Sequence, residues 1–297
     1  LSARLEAREL AWGRSIELPE LDARRVQHWL EHWPELQGRP WQLLGGGLRS
    51  LNLRLGDIVA RIGVGPHALG KERSLLEQLA GVRVPRVRDT HGEVLLLEYV
   101  SHEWLPPTPE AGERVGRAAA AIHARRYERA GFLDASLEVP RPFSSALHGL
   151  REWIDPMLAG RAGEQLGALC STVRDAWACE RDAMTAASAP VLVHSDFKPM
   201  NIGWLPEARD VVVFDWEFAW SGPALLDLGQ LLRWNPPAEF VAGVERGYLA
   251  AGGFLPERWI RLAELFDLFN LIAFLDDCEP CPQRTRDVLE RVHQTLR

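Results

Sequence analysis

His194-Ser195-Asp196-Phe197-Lys198-Pro199-Met200-Asn201, followed fourteen positions later by Asp215, is the most informative stretch of this 297-residue chain. Short apolar runs with strand character flank it: Pro190 to Val193 before, Ile202 to Leu205 after, and Val211 to Phe214 beyond a turn at Pro206 to Asp210. At average residue frequencies a chance His-x-Asp-x4-Asn in a chain this long is roughly a 1% event. Positions 201 and 215 are symmetric about residue 208, in the middle of the turn, so antiparallel pairing would set their Cα atoms about 4.5 to 5.5 Å apart at the open end of the hairpin. An amide oxygen and a carboxylate at that reach can share one hard cation. Mg²⁺ suits them, because it keeps waters and takes its remaining ligands from phosphates. Asp196, on the connecting loop, is placed to orient or deprotonate an attacking hydroxyl. Taken singly, these residues are an Asp capping a turn and two ordinary strand ends; their conjunction argues for chemistry. His194 reads as a hydrogen-bonding brace rather than a proton shuttle.

Upstream the texture is that of a small sheet. Trp41 to Leu44, Leu51 to Leu55 and Ile58 to Ile62 are short runs, the last two joined by a Gly56-Asp57 turn, and the near-continuous apolarity of Val94 to Val100 suits a strand covered on one or both faces. Gly45, Gly46 and Gly47 would let the backbone approach phosphate oxygens closely, with Ser50 adding a hydroxyl donor. Three glycines in a hairpin are also ordinary turn chemistry, and no Gly-Lys-Ser/Thr follows them. Alternation through Ile58-Val59-Ala60-Arg61-Ile62 sets Arg61 and Val59 on one face, toward a cleft or toward solvent. Glu72, on a helix expected over about Ala68 to Leu79, is the natural partner to hold that cation.

Residues 1–40 read as an N-terminal helical extension packed on the sheet beyond it, clearest from Leu21 to Trp33 before Pro34. Residues 41–104 form a first lobe and 105–297 a second, mainly helical one. The segment Leu105-Pro106-Pro107-Thr108-Pro109 cannot continue a sheet or a helix interior and marks the hinge between them. Helices are expected from Pro109 to about Arg129 with a stop at Gly131, between Ser144 and Ala187, and from Glu239 onward.

Composition excludes several classes. The chain is 46% hydrophobic and 25% charged, a globular balance, and 41 acidic against 34 basic residues leave a formal charge of -7, so there is no basic field for a nucleic-acid backbone. No apolar run reaches the ~18 to 20 residues that span a bilayer. The opening LSARLEAREL lacks a secretory pattern, and a cytoplasmic location is expected. Four cysteines suit a reducing compartment. The Cys278-Glu-Pro-Cys281 pair has metal spacing but no second ligand pair, and reads as inert. Lys71 and Lys198 are the only lysines.

At these residues the chain resembles the aminoglycoside phosphotransferase and choline kinase family, the small-molecule branch of the protein-kinase-like fold. HSDFKPMN (194–201), FDWEFA (214–219) with Asp227-Leu228-Gly229 after it, the strand IVARI before KERSLLEQL, and LLLEYV match in order and spacing over about residues 41–235. The resemblance implies an α+β, two-lobed fold with an N-terminal antiparallel sheet, one key helix and a mainly α C-terminal lobe. It makes 41–104 the nucleotide-binding lobe and 105–297 the catalytic and substrate-binding lobe. It implies that Asp196 is the catalytic base, that Asn201 and Asp215 hold Mg²⁺, that Arg61 is the counterpart of the usual strand lysine, paired with Glu72, and that backbone groups from Glu98 to Val100 lie near the adenine. Lys198 either neutralises the transferring phosphoryl group or is a solvated loop lysine. Asp227 is expected to brace the loop through backbone hydrogen bonds. Arginine at position 61 stays charged and binds phosphate in two-pronged fashion, but its bulkier plane leaves the choice between ATP and GTP open.

The implied activity is transfer of the γ-phosphoryl group of ATP or GTP to a hydroxyl of a small metabolite or aminoglycoside-like compound, by a monomer or weak dimer with no nucleic-acid or membrane partner. The alternative is a catalytically silent module that binds Mg-nucleotide, motivated by Arg61; a metal-dependent hydrolase would lack the histidine-rich ligand set of zinc. A protein kinase is disfavoured. Ser195 replaces the arginine that would pair with a phosphorylated loop, and eleven residues between Asp215 and Asp227 leave no room for a peptide-docking segment. For the acceptor, Phe266, Asp267, Asn270, Leu271, Phe274, Asp276 and Asp277, with Glu217 and Trp220, either attract a cationic compound or belong to an amphipathic helix with a solvated acidic end.

Overall fold

Residues 21–44, 50–63, 68–276 and 281–297 are described by the computed structural model. In chain order they form α1 (Ala23–Trp29), a 3-10 turn (Pro34–Leu36), β1 (Gln42–Leu44), β2 (Ser50–Leu55), β3 (Ile58–Gly63), α2 (Ala68–Gln78), β4 (Val87–His91), β5 (Val94–Glu98) and β6 (Glu103–Trp104). There follow α3 (Pro109–His123), α4 (Ala146–Ala159), α5 (Arg161–Leu166), α6 (Leu169–Cys179), α7 (Arg181–Ala186), β7 (Pro190–Val193), β8 (Ile202–Leu205), β9 (Asp210–Val213), β10 (Trp220–Pro223), α8 (Leu225–Leu232), α9 (Ala238–Ala250), α10 (Trp259–Asp276) and α11 (Pro282–Thr295). This is the two-lobed α+β arrangement, an antiparallel sheet followed by a mainly helical part.

The first five strands pair antiparallel in the order β1-β2-β3-β5-β4. Period-two alternation sorts the faces. Leu51, Leu53, Ala60, Ile62, Val94 and Leu96 pack with Val26, Leu30, Trp33 and Leu36 of the N-terminal segment. Leu95 and Leu97 point the other way and meet Leu75 and Leu76 of α2 in the main core, so β5 is covered on both faces. Helix α1 is shorter than the expected Leu21–Trp33. Its seven residues would not persist alone; Val26 within it and Leu30, Trp33 and Leu36 just beyond it, at about 1.5–3 kcal/mol each, hold the segment on the sheet. Asp22 caps it by accepting Arg25 N–H at 2.8 Å, and Trp33 Nε1 ties it to Asp89 at 2.8 Å. The part of the expected extension from 1 to 20 lies outside the described residues.

Glu103–Trp104 already pair with β8, so the chain has crossed to a second sheet before the prolines arrive. There Thr108 caps α3, with Pro109 at its first position. Helix α3 stops at His123, short of the expected Arg129, because the next residues are recruited by strands. Leu192 N–H donates to the Arg125 carbonyl (2.8 Å), Tyr127 N–H to that of Pro190 (3.1 Å), and Gly131 and Ser221 exchange both backbone bonds at 3.0 Å. Helices α3 and α9 cross almost in backbone contact. A Cβ on Gly116 would stand 2.1 Å from the Val244 carbonyl oxygen and one on Gly247 2.0 Å from that of Glu113, so only glycine permits the crossing.

The hairpin β8–β9 pairs Ile202 with Val213 and Leu205 with Asp210, closing on a four-residue turn whose last member, Arg209, has φ +48°. Its centre therefore falls between residues 207 and 208, not on 208. The Asn201 carbonyl accepts Phe214 N–H (2.9 Å), and Asp215 lies one residue past the pairing expected for it. Helix α10, expected to be amphipathic or cleft-facing, is instead a central post, with Leu262, Leu265, Phe266, Phe269, Leu271 and Ile272 all buried.

Candidate active site

The loop from β7 to β8 carries the motif, and α8 holds it from beneath. Asp227, wholly buried, accepts His194 N–H (2.7 Å), Ser195 N–H (2.8 Å) and the Nε2 of His123 (3.1 Å). Gln230, one turn later on the same face, accepts Phe197 N–H and donates to the Ser195 carbonyl, each at 2.8 Å. His194 Nε2 donates to the Phe214 carbonyl (2.8 Å), and its Nδ1 accepts Asp196 N–H (3.2 Å). Both ring nitrogens are thus engaged in one tautomer, the arrangement of a brace.

On this support Ser195 takes a left-handed backbone, φ +63°. The Asp196 carboxylate receives Asn201 Nδ2 at 2.7 Å and Lys198 Nζ at 3.0 Å. Asn201 Nδ2 also reaches the Asp196 carbonyl (2.9 Å), which turns the amide nitrogen inward and leaves Oδ1 as its outward oxygen. Lys198 is buried, not a solvated loop lysine.

Across from this loop, Arg61 of β3 is buried and faces the cleft. Its Nε donates to Glu72 (2.7 Å), its Nη2 to Asp215 (2.6 Å), and Glu217 lies 3.5 Å from the same nitrogen. Burial pushes the Glu72 carboxyl up while Arg61 pulls it down, and burial wins. For Asp215 burial also pushes up, but Arg61, with help from Lys198 and His194, holds the carboxyl below its ordinary range. Lys198 and His194 acting on Asp215 bring the two clusters into one site. Asp215 itself has φ +65°.

The remaining expected positions are more dispersed. Ser50 is buried, and its hydroxyl has no partner among the described residues; Gly46 and Gly47 lie outside them. The Glu98 side chain is engaged by Arg83 and Arg86, and its N–H donates to the Arg86 carbonyl (2.9 Å). His102 Nδ1 caps the Val100 carbonyl (2.9 Å). Asp267 is not available to attract a cationic compound, because Arg233 grips both its oxygens in a buried pair. Asp277 lies outside the described residues, as does Cys278.

Three residues of this candidate site escaped the sequence reading or were misplaced by it. Gln230 follows Asp227 at i+3, the spacing that puts two side chains on one helix face, and that was its available signal. Glu217, considered for the acceptor, instead belongs to the Arg61 cluster. Lys71 donates to the Ala219 carbonyl at 2.8 Å, and burial draws its ammonium down to about 8 against the pull of Glu72 and Glu217.

Among the described residues no group of three or more His, Cys, Asp or Glu side chains forms a metal cage. The fit is to a cation that takes only two protein oxygens, Asn201 Oδ1 and Asp215, and completes its shell with waters and phosphates. Among the described residues no helix is long and apolar enough to cross a membrane.

A family model described as the phosphotransferase enzyme family matches residues 40–262. None of the curated proteins matches the sequence. Among solved structures, a thermostable mutant of aminoglycoside phosphotransferase APH(4)-Ia, in ternary complex with ADP and hygromycin B, superposes with a TM-score of 0.67 at 16% identity, over 86% of this chain and 93% of that one. The GDP complex of an aminoglycoside 2'-phosphotransferase IIIa mutant gives 0.68 at 17% identity, over 93% and 96%. The macrolide 2'-phosphotransferase MphH from Brachybacterium faecium gives 0.62 at 20%, over 85% and 91%. At these identities the likeness shows the fold.

Proposed function

The chain belongs to the phosphotransferase enzyme family, and from that premise we propose that it transfers the γ-phosphoryl group of ATP or GTP to a hydroxyl of a small molecule in the cytoplasm. Residues 41–104 supply the donor side and 105–297 the catalytic and acceptor side. The observation that carries this reading is the Asp196 carboxylate, aimed by Asn201 and Lys198 on a loop that Asp227 and Gln230 hold rigid, opposite Asp215. Nucleotide complexes of the fold relatives, one with ADP and one with GDP, support both donors.

In this reading Asp196 accepts the proton of the acceptor hydroxyl as its oxygen attacks the γ-phosphorus and the bond to the leaving oxygen of the nucleoside diphosphate breaks. Lys198, beside that carboxylate, offsets charge on the transferring group. Asn201 and Asp215 would hold Mg²⁺, which when bound neutralises the donor phosphates. Arg61, oriented by Glu72, would face the same phosphates, Ser50 and the sequence's Gly46 and Gly47 would supply further donor-side contacts, and backbone from Glu98 to Val100 would border the base. The acceptor is a small hydroxylated metabolite or an aminoglycoside-like compound.

The test is Asp196→Asn. Transfer to the best acceptor from a panel of hydroxylated metabolites and antibiotics, assayed with both nucleotides, should fall by about 10²–10⁴-fold while Mg-nucleotide binding stays intact. Full transfer by this variant would remove Asp196 as the base. Tight Mg-nucleotide binding by the parent with no acceptor found would favour the silent module.

A further inference from the structure

Of 34 basic residues only Lys71 and Lys198 are lysines, and the structure brings both to the site: Lys198 onto Asp196, Lys71 onto the turn that follows Asp215. In a chain that otherwise uses arginine for every positive charge, an ammonium kept at two such places indicates a need for a compact donor that a planar guanidinium does not meet.

The turn from 215 to 219 is held at its start by β3 and, just inside it and at its end, by α2. Asp215, at its start, is bound by Arg61, which Glu72 orients. Trp216, next, gives its backbone N–H to Glu72. Ala219, at its end, gives its carbonyl to Lys71 at 2.8 Å. Inside, Ala219 N–H closes on the Trp216 carbonyl at 3.2 Å, and Trp216 Nε1 reaches the Val213 carbonyl at 3.2 Å. Asp215 keeps a left-handed backbone, φ +65°, which a residue with a Cβ holds only when its surroundings impose it.

We propose that Lys71 is a positioning residue: by fixing the Ala219 carbonyl it locks the far end of this turn and so aims the Asp215 carboxylate. The inference rests on the reading of Asp215 given above. Helix α2 has other moorings, since Ser74 Oγ donates to the Ala135 carbonyl at 2.6 Å and Arg125 to Gln78 at 3.2 Å. Loss of Lys71 therefore frees the turn and leaves the helix docked.

The experiment compares the parent with Lys71→Met, Lys71→Gln and Lys71→Arg, using Mg-ADP and Mg-GDP as probes without any acceptor. Titration calorimetry should show Lys71→Met weakening the tighter of the two by about tenfold, as loss of one charge-assisted hydrogen bond implies, with Lys71→Arg recovering most of that loss. Amide exchange should speed up in 215–220 and stay unchanged in α3 and α8. Parental affinity and parental exchange at 215–220 in Lys71→Met would overturn the proposal. So would exchange rising alike in 215–220 and α8, which would make Lys71 a general tether of the fold. Lys71→Gln, which keeps a donor without the charge, replaces Lys71→Met should the latter not fold, and unfolding of all three variants would also overturn it. Neither readout needs transfer, so they stand even if Asp196→Asn removes Asp196 as the base or no acceptor is found for the parent.

Discussion

Beneath the loop that carries Asp196, the holds on residues 194–197 include hydrogen bonds from α8 side chains to backbone groups. Across the cleft, Arg61 faces Glu72, Asp215 and Glu217, and Lys71 stands beside them, a gathering of three carboxylates and two cations. Bonds to backbone amides fix direction and have nothing to exchange with a ligand. A charge cluster is a balance, and in this one the carboxylates outnumber the cations. The first region can be complete before any substrate arrives. The second is built to re-pair when a cation or a phosphate enters.

The largest effect should follow from damaging the rigid side. Asp227→Ala strands His194 N–H, Ser195 N–H and His123 without their acceptor in a site with no access to water. Hydrogen bonds to a buried charged group are worth about 1.5–3 kcal/mol each, so a loss of roughly 3–5 kcal/mol is expected in urea unfolding, together with near-complete loss of transfer. The share of that loss due to the His194 and Ser195 backbone amides does not titrate and should persist from mild acid to mild base. A variant that keeps parental stability would show that the loop does not depend on α8.

This contrast also explains what the sequence could and could not reveal. The rigid side was legible because His194 to Asn201 is one continuous motif, and Asp227, 33 positions beyond His194, was supplied by the motif order that carries the resemblance. Gln230 was missed only for want of counting three residues along the helix. The hairpin was placed one register step off, since a four-residue turn and a five-residue one read alike until Arg209 shows its left-handed backbone. The electrostatic side was legible only in part. Alternation put Arg61 and Glu72 together, but Glu217 and Lys71 join them through contacts spanning roughly 150 residues of chain, which no local pattern encodes. Asp267 failed for the same reason, since its partner Arg233 lies 34 positions away on another helix. The overrun of α3 past His123 shows strand pairing at Arg125 to Gly131 overriding helix propensity.

A smaller, conditional effect should come from the charge cluster. Arg61→Met leaves the buried Glu72 and the partly buried Asp215 and Glu217 without their main cation, and breaking a buried pair of this kind commonly costs about 3 kcal/mol or more. Here the cluster can relax by taking up a proton. In the parent, Arg61 holds Asp215 below its ordinary range, so that contribution is present above the unfolded-state value and lost only in acid. In the variant, burial and two carboxylate neighbours push Asp215 up. The folded state then binds more protons than the unfolded one, and stability falls as pH rises. The deficit relative to the parent should therefore be larger near about pH 8 than near about pH 5, in urea midpoints measured at both. A deficit independent of pH would mean that the two regions are held by the same kind of interaction after all.

The smallest effect is the most direct reading of the charge side. With two lysines in the chain, reductive methylation with ¹³C-formaldehyde yields two side-chain signals, and Lys71→Arg assigns them. Lys71 should titrate at about 8 rather than at the ordinary 10.5. Its folded-state value is lowered, so between those two pH values the folded protein carries fewer protons than the unfolded chain, and this residue adds stability as pH rises through that window. The parent should accordingly gain slightly on Lys71→Met between about pH 8 and pH 10 in thermal unfolding, because the variant lacks the titrating group. A Lys71 signal with an ordinary midpoint would place its ammonium in water. The charge cluster would then be Arg61 against three carboxylates, and the far end of the Asp215 turn would be held no more firmly than any exposed loop.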